Sequence, residues 1–196
     1  MVKRAFDIVL SAAALLLLLP LLLLLALAVA LTSPGGAFFR QVRVGRNGRE
    51  FRLLKFRTMR PGSEAKGQIT VGGRDPRITG IGYFLRKTKL DELPQLINVL
   101  VGDMSIVGPR PEVPKYVALY TPEQHAVLNV RPGITSAASI TYIDENELLG
   151  RSADPERTYV EQVMPAKLAL DLDYVKRHGL LLDLRIIGRT LLGLFR

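Results

Sequence analysis

The sequence predicts a mostly helical α+β protein attached to a membrane near its N-terminus. Three observations predict it. An apolar run from Ile8 to Leu31 contains a single proline, Pro20. A segment alternating apolar and basic residues folds back about Asn47-Gly48, and helical spacing of apolar residues recurs in segments from residue 78 onward.

The apolar run comes first. No charge occurs between Ile8 and Pro34, and a helix from Ile8 to Leu31 is about 36 Å long at 1.5 Å per residue, enough for the roughly 30 Å of bilayer hydrocarbon. A secretory signal peptide has a shorter apolar core, about 7 to 15 residues, and ends at a small-residue cleavage site. Thr32-Ser33-Pro34 is a poor site, so residues 1–34 read as a retained membrane segment. Pro20 removes one helix hydrogen bond and clashes with the preceding turn, at a cost of about 3 kcal/mol in a helix interior. A break there leaves halves of about 18 Å, each too short to span. Lys3 and Arg4 precede the run and Arg40, Arg43 and Arg46 follow it, so the positive-inside rule puts both ends in the cytoplasm. Proline is also ordinary in spanning helices, and on these residues alone a kinked span and a re-entrant bend both stay open.

Residues 35–196 are enough for one catalytic domain with its own core. Cysteine is absent, which excludes disulfides, thiolate nucleophiles and Cys-ligated zinc. Of the net charge of +9, residues 40–89 carry 14 Lys and Arg against Glu50, Glu64 and Asp75, a local excess of +11. Such a face beside a membrane segment suits anionic head groups, phosphorylated substrates or nucleic acid.

Asn47-Gly48 within AFFRQVRVGRNGREFRLLKFR (37–57) predicts a two-stranded ribbon with one basic face. Residues 60–77, rich in glycine and poor in apolar residues, read as a mobile loop able to fold over a ligand. Helices are predicted around 78–87, 91–101 and 156–177. In the closing segment LLLDLRIIGRTLLGLFR, Arg185, Arg189 and Arg196 fall near one helical face, a pattern shared by interfacial helices and packed terminal helices.

The candidate chemistry lies in TKLDELPQL (88–96). Pro94 is tolerated only in a first helical turn, so the helix begins near Leu90 or Asp91 and both carboxylates, Asp91 and Glu92, stand at its positive end. Thr88-x-x-Asp91 also matches a capping box, so capping and chemistry are both compatible with this stretch alone. In GDMSIVGPRP (102–111), prolines on both sides of Arg110 hold a guanidinium in the way bidentate phosphate recognition needs. RPGIT (131–135) adds Arg131 beside a Pro-Gly turn.

Taken together, Phe6-Asp7, the proline-broken apolar run, KFRTM (55–59), LDELPQLINVL (90–100), GDMSIVGPRP, RPGIT and LDLDYV (170–175) resemble the small monotopic phosphoglycosyl transferases, the bacterial sugar transferase family. The resemblance covers nearly the whole chain. It implies a monotopic protein of the bacterial cytoplasmic membrane, with an N-terminal re-entrant helical hairpin bent at Pro20 and a catalytic domain on the cytoplasmic face. It implies transfer of a sugar 1-phosphate from a UDP-sugar to polyprenyl (undecaprenyl) phosphate, releasing UMP, as the initiating step of glycoconjugate assembly. The family's Asp-Glu dyad falls on Asp91 and Glu92, with Asp91 as the carboxylate nucleophile and Mg2+ bound at Asp91. Lys55, Arg57, Arg86, Arg110 and Arg131 fall where the family keeps basic residues for phosphate or nucleotide contacts. Asp171 matches a further family acid without an assigned role. The implied partners are the UDP-sugar, the polyprenyl phosphate and bacterial membrane lipid, with no nucleic acid and with room for a homodimer.

Two features depart from the family pattern. Leu19 stands before Pro20 where a serine is frequent, so no hydroxyl at that position meets the carbonyl freed by the proline. SAASITYIDENELL (136–149) replaces the usual Gly-aromatic continuation after RPGIT, in a region suited to sugar choice. The alternative function is a membrane-tethered basic module for nucleic acid or anionic lipid, which has no use for Asp91 or Glu92.

Overall fold

The computed structural model describes residues 2–67, 69–72 and 75–193. Helix α1, Val2–Thr32, contains Pro20 and leads into a hairpin of β1, Phe38–Val44, and β2, Glu50–Phe56. After the 60–77 segment come α2, Gly80–Lys87, and α3, Gln95–Val101. Strand β3, Ser105–Val107, pairs in parallel with β4, Gly133–Thr135, across the short helix α4, Pro114–Val117. Helices α5, Ala137–Thr141, α6, Glu145–Gly150, and α7, Pro155–Thr158, precede the long pair α8, Met164–Arg177, and α9, Leu180–Gly193. The chain is therefore mostly helical with small sheets, as the sequence predicts.

The hairpin is antiparallel, in register from Phe38 opposite Phe56 to Val44 opposite Glu50. Its turn places Asn47 at φ 58° and Gly48 at φ 74°, the left-handed pair that favours Asn-Gly there. The expected basic face is only partly a surface: Arg43 and Lys55 turn inward with Gln41 to line a cavity, while Arg40 and Arg52 stay exposed.

Two expectations change. The predicted division at Pro20 into separate helices is not seen, because α1 continues through it. Proline's fixed φ suits a helix, so its effect is a missing hydrogen bond and a local clash rather than a helix end. In the 60–77 segment, read from sequence as a mobile loop, the described residues make specific contacts. Arg77 donates to the carbonyls of Gly67 at 2.6 Å and Ile69 at 2.5 Å and pairs with Asp75 at 2.6 Å, and Gly72 N donates to Asn146 O at 2.9 Å. Residues 68, 73 and 74 of that segment and Arg196 of the closing one lie outside the described residues.

The predicted helix over 156–177 is interrupted by a π-turn at Tyr159–Val163, immediately before Pro165 in the first turn of α8. Proline lacks the amide that would continue an α ladder from α7, and a π-turn absorbs the mismatch.

Both ends of α1 dock on the domain that follows. At the N-terminal end Arg4 donates to the Val99 and Leu100 carbonyls at the end of α3, at 2.6 and 3.0 Å. Asp7 accepts from Ser105 Oγ at 2.8 Å and Ile106 N at 3.1 Å. Lys3 donates to Val107 O and meets Asp183 of α9 at 2.5 Å. At the C-terminal end Leu25 and Val29 are buried with Phe56 and Leu85. Between these anchors the surface is bare hydrocarbon: Leu16 is 77% and Leu17 80% exposed.

Asp183 is fully buried and also accepts from Tyr174 Oη at 2.7 Å. Truncating it strands the Lys3 ammonium against a low-dielectric surface. Asp183→Ala is expected to lower stability by about 3 kcal/mol, at the low end for a broken buried pair because Lys3 is partly hydrated. The check is the urea midpoint in detergent; an unchanged midpoint would mean that this pair does not hold α1.

Candidate active site

The site is built where four segments meet. Pro94 caps α3, and the residues before it form a tight 3-10 turn, Leu90–Glu92, entered through Lys89 at φ 57°. The α-helix therefore starts four residues later than the sequence predicts, and Asp91 and Glu92 sit in the turn ahead of it. The turn packs beside β2, where Asn98 of α3 accepts from Leu54 N and donates to Arg52 O, both at 2.9 Å. Lys55, next along β2, reaches Glu92 Oε1 at 2.7 Å.

Arg110 arrives from the other side. Its Pro-Arg-Pro segment is clamped between two strands: Gly133 N donates to Pro109 O, and Val44 N donates to Glu112 O, each at 2.9 Å. Glycine is required here by close approach, since a Cβ on Gly133 would lie 2.1 Å from Gly108 N. Arg110 Nη2 then meets the same Glu92 Oε1 at 2.8 Å.

The two acids consequently differ. Burial alone would raise the Glu92 pKa, but Arg110 and Lys55 outweigh it and hold the group well below the usual carboxylate range. Asp91 is 6% exposed and its pKa is raised, first by burial, then by Glu92, against the opposing pull of Lys55, Arg86 and Lys89. Among the described residues Asp91 takes part in no side-chain hydrogen bond or ion pair. Lys55 is itself lowered by burial, despite Glu92.

Both acids open onto a cavity of about 600 Å3. Lys55, Arg57, Arg86 and Arg110 line it too, so the structure brings together six of the seven residues singled out for catalysis and substrate. Arg86 donates to Thr70 Oγ1 at 2.9 Å. Arg57 is committed to the chain leaving α1, donating to Gly36 O at 3.1 Å and Phe38 O at 3.0 Å. Arg131 is the exception. It does not line the cavity, and its Nε donates to Gly102 O at 2.8 Å, bracing the turn that starts β3. Pro20 lies in α1, outside the cavity.

Sequence reasoning missed the wall opposite. Tyr159 Oη donates to Glu112 at 2.5 Å, and Lys167 pairs with Glu145 at 2.6 Å. Glu112 directly follows Pro-Arg-Pro and was within reach of the motif. Glu145 lies in the stretch that departs from the family pattern. Tyr159 and Lys167 had no local signal, because only the packing of α8 brings them here.

Asp171 lies behind Arg110. It is 3% exposed, beside the Arg110 backbone and the Ser136 side chain, and its Oδ1 has no hydrogen-bond partner among the described residues. Burial raises its pKa to about 7.

No cluster of three His, Cys, Asp or Glu suited to a metal occurs among the described residues. Magnesium needs no such cluster, since it keeps several waters and takes one or two carboxylates together with substrate phosphates. With Glu92 Oε1 occupied by two cations, the Asp91 carboxylate is the hard oxygen donor that fits this role.

Fold and site place a cavity lined by acidic and basic side chains beside a long apolar helix. The chain belongs to the bacterial sugar transferase family, whose model matches residues 1–196. It is 40% identical over 191 residues to a UDP-glucose:undecaprenyl-phosphate glucose-1-phosphate transferase of Caulobacter vibrioides, covering 96% of this chain and 67% of that protein. It is 41% identical over 200 residues to the exopolysaccharide production protein PSS of Rhizobium leguminosarum bv. phaseoli, covering 98% and 94%. It is 38% identical over 193 residues to a UDP-N-acetylgalactosamine-undecaprenyl-phosphate N-acetylgalactosaminephosphotransferase of Aeromonas hydrophila, covering 97% of this chain but 43% of that longer protein.

The raised Asp171 pKa carries a signed prediction. Between the ordinary Asp value, near 3.9, and about 7 the native state holds a proton that the unfolded chain has released. Stability therefore falls as pH rises through that window and is level above it. Asp171→Asn should flatten this slope, so that the variant compares better with wild type at pH 8 than at pH 4.5. Parallel unfolding midpoints of the two proteins across the window would refute it.

Proposed function

We propose that the chain transfers a sugar 1-phosphate from a UDP-sugar to polyprenyl phosphate through a covalent phosphosugar ester on Asp91. The observation that carries this reading is the division between the acids: Glu92 is held by two cations, whereas Asp91 faces the cavity with no hydrogen-bond or ion-pair partner among the described residues. A carboxylate oxygen of Asp91 attacks the phosphorus that bears the sugar. The bond from that phosphorus to the UMP oxygen breaks, and UMP leaves with the electron pair. An oxygen of the acceptor phosphate then attacks the same phosphorus, and the Asp91–phosphorus bond breaks to restore the carboxylate. Two displacements let a water-soluble donor and a lipid acceptor use one site in turn.

A carboxylate approaching a diphosphate meets a repulsion of about 4 kcal/mol per charge pair at 4 Å and an effective dielectric near 20. Lys55, Arg86, Lys89 and Arg110 surround the approach and offset it. Magnesium, bound by Asp91 and the donor's phosphates, would supply further charge neutralisation. The binding-module alternative is disfavoured by the inward turn of Arg43 and Lys55, which places basic charge in a cavity rather than on an open face.

For topology we infer a re-entrant α1 whose two ends lie on the cytoplasmic side of the bacterial inner membrane. The contacts of Lys3, Arg4 and Asp7 at one end and of Leu25 and Val29 at the other, all with the same domain, support it. A segment fixed to one domain at both ends can insert only what lies between them, and exposed leucines such as Leu16 and Leu17 lie there.

Two measurements follow. With UDP-sugar, magnesium and no acceptor, the enzyme should release up to one equivalent of UMP and gain the mass of the sugar phosphate on the Asp91 peptide; EDTA or Asp91→Asn should abolish both. UMP release only when acceptor is present, with no adduct on rapid quenching, would refute the covalent route. Cysteines replacing Val2 and Arg40, both exposed, should react with an impermeant thiol reagent only from the cytoplasmic side. Labelling from opposite sides would exclude the re-entrant arrangement.

A further inference from the structure

Two anionic substrates must use the cavity, and most of its cations are already engaged. Lys55 and Arg110 are held by Glu92, Arg86 by Thr70 and Lys167 by Glu145. Arg43, Arg57 and Arg77 donate to backbone carbonyls. Among the described residues the lining cations without such a partner are Arg60, Lys89 and Arg189. Lys89 adjoins the dyad and acts on Asp91, and Arg60 starts the segment pinned by Arg77.

Arg189 differs in its surroundings. It stands on α9 at an exposed edge of the cavity, next to Thr190, whose Oγ1 lies 2.7 Å from Thr135 Oγ1. Ile186 and Asp183 bury the inner face of the helix, while Leu184, Leu191 and Leu192 stand outside it, 48%, 54% and 72% exposed. A guanidinium at a cavity edge, with the uncovered Leu192 one helical turn away on the same side, complements a phosphate carried on a long hydrocarbon chain. A nucleotide sugar has no apolar part to match that surface.

We propose that Arg189 receives the phosphate of the lipid acceptor at the cavity mouth while Leu192, one helical turn further along the same side of α9, supports the first part of its hydrocarbon. This rests on the transfer reaction proposed above. Arg189 contributes to the second displacement only: it holds the incoming phosphate where an oxygen can reach the phosphorus on Asp91, and it leaves the donor step to Lys55, Arg86 and Arg110.

The test uses the whole protein in nanodiscs, with UDP-sugar and undecaprenyl phosphate as probes. Separate kcat/KM values for donor and acceptor report the two half-reactions. Arg189→Ala should lower kcat/KM for undecaprenyl phosphate roughly ten- to hundredfold, the range for one charge-assisted phosphate contact. The value for UDP-sugar should stay within about twofold, because Arg189 serves only the second step. Arg189→Lys should recover part of the loss. Arg185→Ala removes the same charge one turn earlier, outside the cavity, and should change neither value. Vesicle flotation should be the same for all variants. The proposal is overturned by an unchanged acceptor value, by an equal loss for the donor, by an equal effect of Arg185→Ala, or by a parallel loss of flotation. A wild-type enzyme that turned over no UDP-sugar would instead overturn the transfer reaction itself.

Discussion

One carboxylate oxygen, Glu92 Oε1, accepts from Lys55 of the hairpin at 2.7 Å and from Arg110 of the Pro-Arg-Pro segment at 2.8 Å. Three segments far apart in the chain meet at that atom. Taking such charges out of water costs several kcal/mol per ion, and mutual attraction offsets this only when geometry is good and the remaining polar groups are satisfied. The surroundings provide that geometry. Prolines restrict the backbone on both sides of Arg110, the β3–β4 and β1 contacts clamp its segment, and Asn98 ties the strand bearing Lys55 to the helix that follows the dyad. The interaction is thus as much a register pin for the cavity as a source of stability.

The apolar helix is integrated into the same construction. Asp7 accepts from Ser105 Oγ and Ile106 N on β3, and β3 in turn pairs with β4, which helps to clamp Pro-Arg-Pro. Lys3 joins α1 to α9 through Asp183, and Leu25 and Val29 cover Phe56, one residue beyond Lys55. The position of the helix and the shape of the site are therefore coupled through short paths. Lys3 and Arg4, read from sequence as topology charges, make specific internal contacts that place the N-terminus beside the domain.

What was legible in the sequence was what is local. Asn47-Gly48 marks its hairpin because the turn itself demands left-handed backbone. Pro94 marks the dyad as preceding a helix because proline excludes itself from the interior. The pairing of β3 with β4 was not legible, since parallel three-residue strands joined by a long connection leave no periodic trace. Nor were the contacts of Arg77, whose guanidinium binds the Gly67 and Ile69 carbonyls in a glycine-rich stretch. Arg131 shows the limit of motif reading: its neighbours Pro132 and Gly133 bring it near the cavity's supports, yet its guanidinium serves Gly102.

Adjacent acids so close to each other ought to compete for the same cations, and the local backbone resolves the competition. Side chains one residue apart in a 3-10 turn diverge by about 120°, so Asp91 and Glu92 point in different directions, and only Glu92 pairs with Lys55 and Arg110. Glu92 turns to Lys55 and Arg110 and stays ionised. Burial, together with the negative charge of Glu92, raises the Asp91 pKa, and the carboxylate is poorly solvated with no side-chain hydrogen bond or ion pair among the described residues. The covalent route proposed above would draw on this state, since among the described residues the carboxylate has no ion pair to break. The neighbouring acid absorbs the permanent pairing that would otherwise neutralise it. An α-helix beginning at Leu90 would separate the two side chains by only about 100° and draw the backbone away from Lys89's left-handed entry. Pro94 stands at the N-cap of the α-helix that starts at Gln95, and the two acids lie in the 3-10 turn ahead of it.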